Sequence, residues 1–239
     1  MTIDAPTAAP QAVRDRLALA LDLDDLVAAT RMARAMQPYF GVVKVGLELF
    51  SATGPDAVGV LAEMGYKVFL DVKLHDIPNT VEKAARVLGS LGASYLTLHA
   101  FGGADMMRAG VEGLSLGAEA AGLPSPTALA VTVLTSDRDA PPHILPKRVQ
   151  AALEGGCGGI VCAAGDVREA RQYAPRMETV VPGIRPTGTN SHDQARAATP
   201  AEAIAAGADL LVIGRAVTAA DDPIAAASAI AAEVESVIS

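Results

Sequence analysis

The apolar runs of this chain are short and regularly spaced, and that spacing restricts the fold more than any other feature. Eight candidate strands recur, at residues 17–21, 42–45, 68–72, 95–98, 128–133, 159–162, 179–181 and 210–213. Helical periodicity fills the intervals, at 24–36, 55–63, 80–91, 104–120, 146–153, 166–173, 200–206 and 223–238. A strand followed by a helix, repeated throughout, implies parallel strands joined by right-handed crossovers. Eight such units in 239 residues suit a closed (β/α)8 barrel, an α/β TIM barrel formed by a single domain. An open doubly wound sheet is the alternative. Against it, no G-x-G-x-x-G follows the first strand: Leu21 runs instead into Asp22-Leu23-Asp24-Asp25, whose carboxylates would repel a pyrophosphate.

The domain is expected to occupy residues 13–239. Residues 1 to about 12, rich in Ala, Pro and Thr, read as a frayed tail. Aromatic residues are only 3% of the chain and Trp is absent, so the core must be built from Ala, Val, Leu and Ile. The same scarcity argues against a nucleic acid read by base stacking, and a net charge of −8 argues against any polyanionic partner. Cys157 and Cys162 have no His or Cys nearby at zinc-like spacing and read as reduced, buried thiols. No apolar run reaches the length of a membrane span and no leader pattern opens the chain, so a cytoplasmic protein without a membrane partner is expected.

Barrel enzymes build their sites at the C-terminal ends of the strands. Here those ends carry polar groups almost without exception. The first strand ends in Asp22, the second holds Lys44, the third Asp71 and Lys73, the fourth His99, and the fifth leads to Thr135-Ser136. The seventh leads into Pro182-Gly183-Ile184-Arg185 and the eighth into Gly214-Arg215. Taken singly, most have an ordinary explanation. A strand lysine can snorkel, Asp22 can cap the next helix, and His99 reads more readily as a core histidine bonded to a backbone carbonyl. Together they describe a rim. Because side chains alternate along a strand, Asp71 and Lys73 leave the same face and Val72 the other.

Loops after the seventh and eighth strands are where such barrels commonly hold phosphate. Gly214-Arg215 suits that task, since Gly permits close backbone approach and Arg offers a planar fork, and Arg185 is a second cation. The stretch 183–199 is long and polar enough to close over a ligand, with Gln194 its residue best suited to an amide edge.

These segments resemble the orotidine 5′-phosphate decarboxylase family of the bacterial type. The likeness runs from Leu17 to about Pro223 and rests on Asp71-x-Lys73-x-x-Asp76-Ile77-Pro78-Asn79-Thr80. Leu19-Ala20-Leu21-Asp22, Lys44-Val45-Gly46, Leu96-Thr97-Leu98-His99-Ala100, residues 131–136, Pro182-Gly183-Ile184-Arg185-Pro186 and Val212-Ile213-Gly214-Arg215 support it. D-x-K-x-x-D alone is shared with sugar-phosphate decarboxylases and aldolases that use Mg²⁺; the Ile-Pro-Asn-Thr continuation sets this chain apart from them.

The resemblance implies decarboxylation of orotidine 5′-phosphate to UMP, the last step of de novo pyrimidine nucleotide synthesis, with neither metal nor organic cofactor. It implies a homodimer with shared active sites, in which Asp76, Ile77 and Thr80 reach into the neighbouring barrel. Lys44, Asp71, Lys73 and that Asp76 would form an array of alternating charge. Lys73 would stabilise and then protonate the carbanion at C6, with Asp71 orienting it. Asp22 and Lys44 would hold ribose hydroxyls and Thr135 or Ser136 the pyrimidine edge. Arg215 and Arg185, with Gly214, would hold the phosphate, and Pro182 and Gln194 would complete the substrate contacts. Two other functions fit a barrel with this rim: a Mg²⁺-dependent sugar-phosphate decarboxylase or aldolase, and a non-catalytic sensor of pyrimidine nucleotides. An intact charged array is hard to reconcile with the second, because buried charges without a task destabilise.

Overall fold

A computed structural model describes residues 8–137, 140–186 and 198–238. Its strands are β1 (Leu17–Ala20), β2 (Val42–Gly46), β3 (Lys67–Leu74), β4 (Tyr95–His99), β5 (Thr127–Val131), β6 (Gly159–Val161), β7 (Glu178–Val181) and β8 (Leu210–Ile213). Each pairs in parallel with the next, and β8 returns to β1, closing the barrel. The connecting helices are α1 (Gln11–Arg14), α2 (Leu26–Met36), α3 (Leu47–Thr53), α4 (Asp56–Glu63), α5 (Pro78–Gly89) and α6 (Gly103–Ala120). They continue with α7 (Ile144–Glu154), α8 (Val167–Tyr173), α9 (Pro200–Ala206), α10 (Arg215–Thr218) and α11 (Pro223–Ile238).

Alternation along the strands sorts the core into two layers. Ala18, Ala20, Val42, Phe69, Leu129, Val180, Leu210 and Val212 fill the barrel interior. Leu17, Leu19, Val43, Val45, Val68, Leu70, Leu96 and Leu98 face outward onto the helices. Small interior side chains match a composition poor in aromatics, with Phe69 and Tyr95 meeting edge to face at 6.0 Å. Outside, Gly113 and Gly117 of α6 lie directly over the carbonyls of Glu82 and Arg86 in α5, an approach that any Cβ would block. Both cysteines are buried, and burial pushes the Cys157 thiol up to about 12.

Several boundaries differ from the sequence reading. α1 begins inside the segment expected to fray: the Ala9 N–H donates to the Pro38 carbonyl at 2.9 Å, and Val13 is buried. α5 begins two residues early, at Pro78, because proline's fixed φ and missing N–H suit the first helical turn. β5 stops at Val131, short of Val133. α1 and α10, of four residues each, are too short to impose a readable period. Among the described residues, no helix is long and apolar enough to cross a membrane.

Candidate active site

The caps decide what Asp22 does. The Asp25 carboxylate accepts from the Val27 and Ala28 N–H groups, both at 3.0 Å, and so serves as the N-cap of α2. Asp22 is thereby left at the rim, where its Oδ1 lies 3.0 Å from Lys44 Nζ. Lys44 points inward from the middle of β2, in register with Ala20 of β1 and Phe69 of β3. Gly46 makes room for this pair: a Cβ there would stand 2.8 Å from the ammonium and 3.1 Å from the Asp22 carboxylate.

β3 carries the other two members. Leu70 is level with Leu96 of β4 but Leu74 with Leu98, so four residues of β3 span what two of β4 span. This bulge bends the strand end and re-aims its side chains. Within it Lys73 has φ of 49°, the one positive value outside glycine among the described residues. Its Nζ reaches back to both Asp71 oxygens, at 2.9 and 3.0 Å, and Lys44 Nζ lies 3.8 Å from Asp71 Oδ2. The chain thus holds Asp22, Lys44, Asp71 and Lys73 as a line of alternating charge. Side-chain exposure is 11% for Lys44 and 13% for Asp71, rises to 33% at Lys73, and reaches 55% at Asp22. Two of these charges are therefore largely desolvated, an arrangement tolerable only because each faces its opposite.

The lysine ammonium groups and Asp71 line a cavity of about 140 Å³, walled by Phe69, Val131, Val133, Leu134, Val161 and Val212 and joined by Thr135 and Pro182. That volume is below the usual size of a drug-sized ligand site. A larger cleft of about 480 Å³ between α2 and the start of α11, lined by Leu23, Met32 and Pro223 among others, contains none of the array.

The remaining expected residues divide. Thr135 lines the cavity, whereas Ser136 is exposed in the turn that follows and does not. Gly214 lies beside Asp22, a Cβ on it falling 4.0 Å from Asp22 Oδ2, and it precedes Arg215, the exposed first residue of α10. Arg185 is held by its backbone N–H to the Ala198 carbonyl at 2.9 Å, and its guanidinium donates to the Ile184 carbonyl at 2.8 Å. Neither arginine lines the 140 Å³ cavity. Gln194 lies outside the described residues. Asp76 and Ile77 are exposed on the β3–α5 connection, Ile77 at 64%, and Thr80 is exposed in the first turn of α5. The Asp76 carboxylate accepts only from the Ile77 N–H, at 2.6 Å, and forms no ion pair with the described residues.

His99 differs from its expected role. Instead of donating to a carbonyl, its Nδ1 accepts from the Phe101 N–H at 3.2 Å. Partial burial, then the nearby Arg148, His75 and Lys73, hold its pKa below the ordinary imidazole value. Sequence reasoning also gave no role to Thr97, which is fully buried and bonded to both Asp71 and Lys73. Its signal was present: Tyr95, Thr97 and His99 alternate as polar positions on the inward face of an otherwise apolar strand.

Comparison with known proteins gives the chain a family. The family model described as Orotidine 5'-phosphate decarboxylase / HUMPS family matches residues 15–230. A protein of Anaeromyxobacter sp. (strain K) named orotidine 5'-phosphate decarboxylase is 50% identical over 229 residues, covering 91% of this chain and 97% of its own. One of the same name from Moorella thermoacetica is 44% identical over 236 residues, covering 94% of each. The crystal structure of orotidine 5'-phosphate decarboxylase from Lactobacillus acidophilus superposes with a TM-score of 0.78 at 34% identity, covering 92% of this chain and 99% of the other. The chain therefore belongs to the Orotidine 5'-phosphate decarboxylase / HUMPS family.

Proposed function

We propose that this chain converts orotidine 5′-phosphate to UMP and CO₂ without a metal ion, using Lys73 as the charge that meets the developing carbanion. The observation that carries the reading is the Lys73 ammonium, held by both oxygens of Asp71 at the mouth of an apolar cavity of about 140 Å³. Breaking the bond from C6 to the carboxylate leaves an electron pair on a carbon that has no neighbouring electron sink. In a site with little water, a fixed cation beside that carbon stabilises the charge without reorganisation. The same ammonium then donates a proton to C6, giving UMP, and recovers one from solvent. Asp71 fixes Lys73 in place. Its nearness to the substrate carboxylate would also raise the energy of the bound ground state.

With the ring in the cavity, Thr135 and Pro182 face its edge, and the ribose lies over Asp22 and Lys44. The phosphate then falls beside Gly214 and Arg215, with Arg185 as a second cation and Gln194 as a further substrate contact. The exposed side chains of Asp76, Ile77 and Thr80 line no part of their own barrel's cavity. They suit a second copy, so a homodimer in the cytoplasm is proposed, with the partner subunit's Asp76 completing the array. Lys73 donates to both Asp71 oxygens, at 2.9 and 3.0 Å, so the cation this reading needs beside C6 is supplied by the chain itself.

The test is the loss of orotidylate absorbance with purified protein, with and without EDTA. Equal rates in both conditions, with UMP as product, are expected. Activity abolished by the chelator and restored by Mg²⁺ would instead support the metal-dependent sugar-phosphate class, and UMP binding without turnover would support a sensor.

A further inference from the structure

We propose that Thr97 is a positioning residue for the reaction, its hydroxyl setting both the backbone of Lys73 and the carboxylate of Asp71. This rests on the reading of Lys73 as proton donor. The bulge in β3 takes the Lys73 N–H out of the ladder to β4, and that N–H donates to Thr97 Oγ1 at 2.9 Å. A backbone N–H can only donate, so the hydroxyl must accept here. Its single proton is then left for Asp71 Oδ1, 3.1 Å away.

One oxygen thus closes a triangle: Lys73 backbone to Thr97, Thr97 to Asp71, and Asp71 to the Lys73 ammonium at 2.9 Å. The triangle is needed because Lys73 holds a left-handed φ of 49° that its Cβ disfavours, and such a conformation persists only when its surroundings over-determine it. Thr97 is well suited to the task. It is fully buried on β4, in register with Leu129 of β5, and β-branching restricts its χ1. Being buried, and absent from the cavity lining, it acts on the reaction through Lys73 and Asp71 and not by touching substrate.

The test compares Thr97→Val, which keeps shape and removes the hydroxyl, with Thr97→Ser, which keeps the hydroxyl. In Thr97→Val, kcat for orotidine 5′-phosphate is expected to fall about 10- to 100-fold with KM changed less than about threefold, the signature of a misplaced reacting group. Thr97→Ser should restore kcat to within about threefold of wild type, since the bonding hydroxyl is present. Should the valine variant melt below the assay temperature, Thr97→Cys, similar in size and a weak donor, replaces it in the comparison. The inference is overturned if the variant lacking the hydroxyl keeps kcat within about twofold, if serine loses as much as valine, or if the loss lies in KM alone. Failure of the underlying reading is separable: a Lys73→Ala protein with normal turnover overturns the role of Lys73, whereas an inactive Lys73→Ala beside a normal Thr97→Val overturns only the role of Thr97.

Discussion

Replacing Lys73 with alanine is expected to abolish turnover while leaving nucleotide binding largely in place. Two contributions vanish together. Loss of the fixed cation removes electrostatic stabilisation worth roughly 10²–10³ in rate. Loss of the proton donor removes about 10²–10⁴ more, so kcat should fall by at least about 10⁴-fold. Binding survives because Asp22, Lys44, Arg215 and the apolar cavity walls are untouched, and UMP affinity should change by less than about tenfold. The fold survives too. Asp71 keeps the Thr97 hydroxyl at 3.1 Å and Lys44 at 3.8 Å, so its carboxylate is not left alone in the barrel. Steady-state kinetics beside UMP titration reads both quantities. A variant with near-normal kcat would remove Lys73 from the chemistry.

Arg215→Ala should cost about 10²–10³ in kcat/KM, the loss of a charge-assisted, two-pronged grip on phosphate. The residue stands at the end of β8, one position past Gly214, whose backbone lies against Asp22. A phosphate there is remote from Lys73, yet its binding energy holds the ring against the array, so the cost should fall on the transition state as well as on binding. A second substrate isolates the interaction. Orotidine, which lacks the phosphate, should react at the same slow rate with wild type and variant, since the removed group has nothing to hold. If the variant loses as much with orotidine as with orotidine 5′-phosphate, Arg215 acts elsewhere.

The eight strands were legible because each is a run of apolar residues bounded by turn signals, and β7 and β8 fall within a residue of where periodicity places them. Asp71 and Lys73 were legible as a pair because period-two alternation sends both to one side. What alternation hides is the bulge between Leu70 and Leu74, since a register shift is a relation between strands and leaves no mark on either. The left-handed Lys73 and the bond from Thr97 follow from that shift and were equally hidden. Asp22 was ambiguous for a different reason: three aspartates in four residues could each cap α2, and only the backbone geometry assigns the cap to Asp25. Thr135 and Ser136 are adjacent in sequence, and the turn after β5 alone separates the one lining the cavity from the one in solvent. Asp76 belongs to a further class, since in the proposed shared site its partner is a second copy, which the contacts of one chain cannot place.

If the decapeptide from Asp71 to Thr80 serves two sites at once, as proposed, two inactive variants should complement each other when mixed. Lys73→Ala and Asp76→Ala homodimers should each be nearly inactive. In a hybrid of the two, one site combines the intact Lys73 with the intact Asp76 and the other combines both defects. After denaturation and refolding of an equimolar mixture, half the dimers are hybrids with one of two sites intact, so about a quarter of wild-type activity should return. No recovery, with hybrid dimers shown to be present, would mean that Lys73 and Asp76 act within one chain and would contradict the shared site.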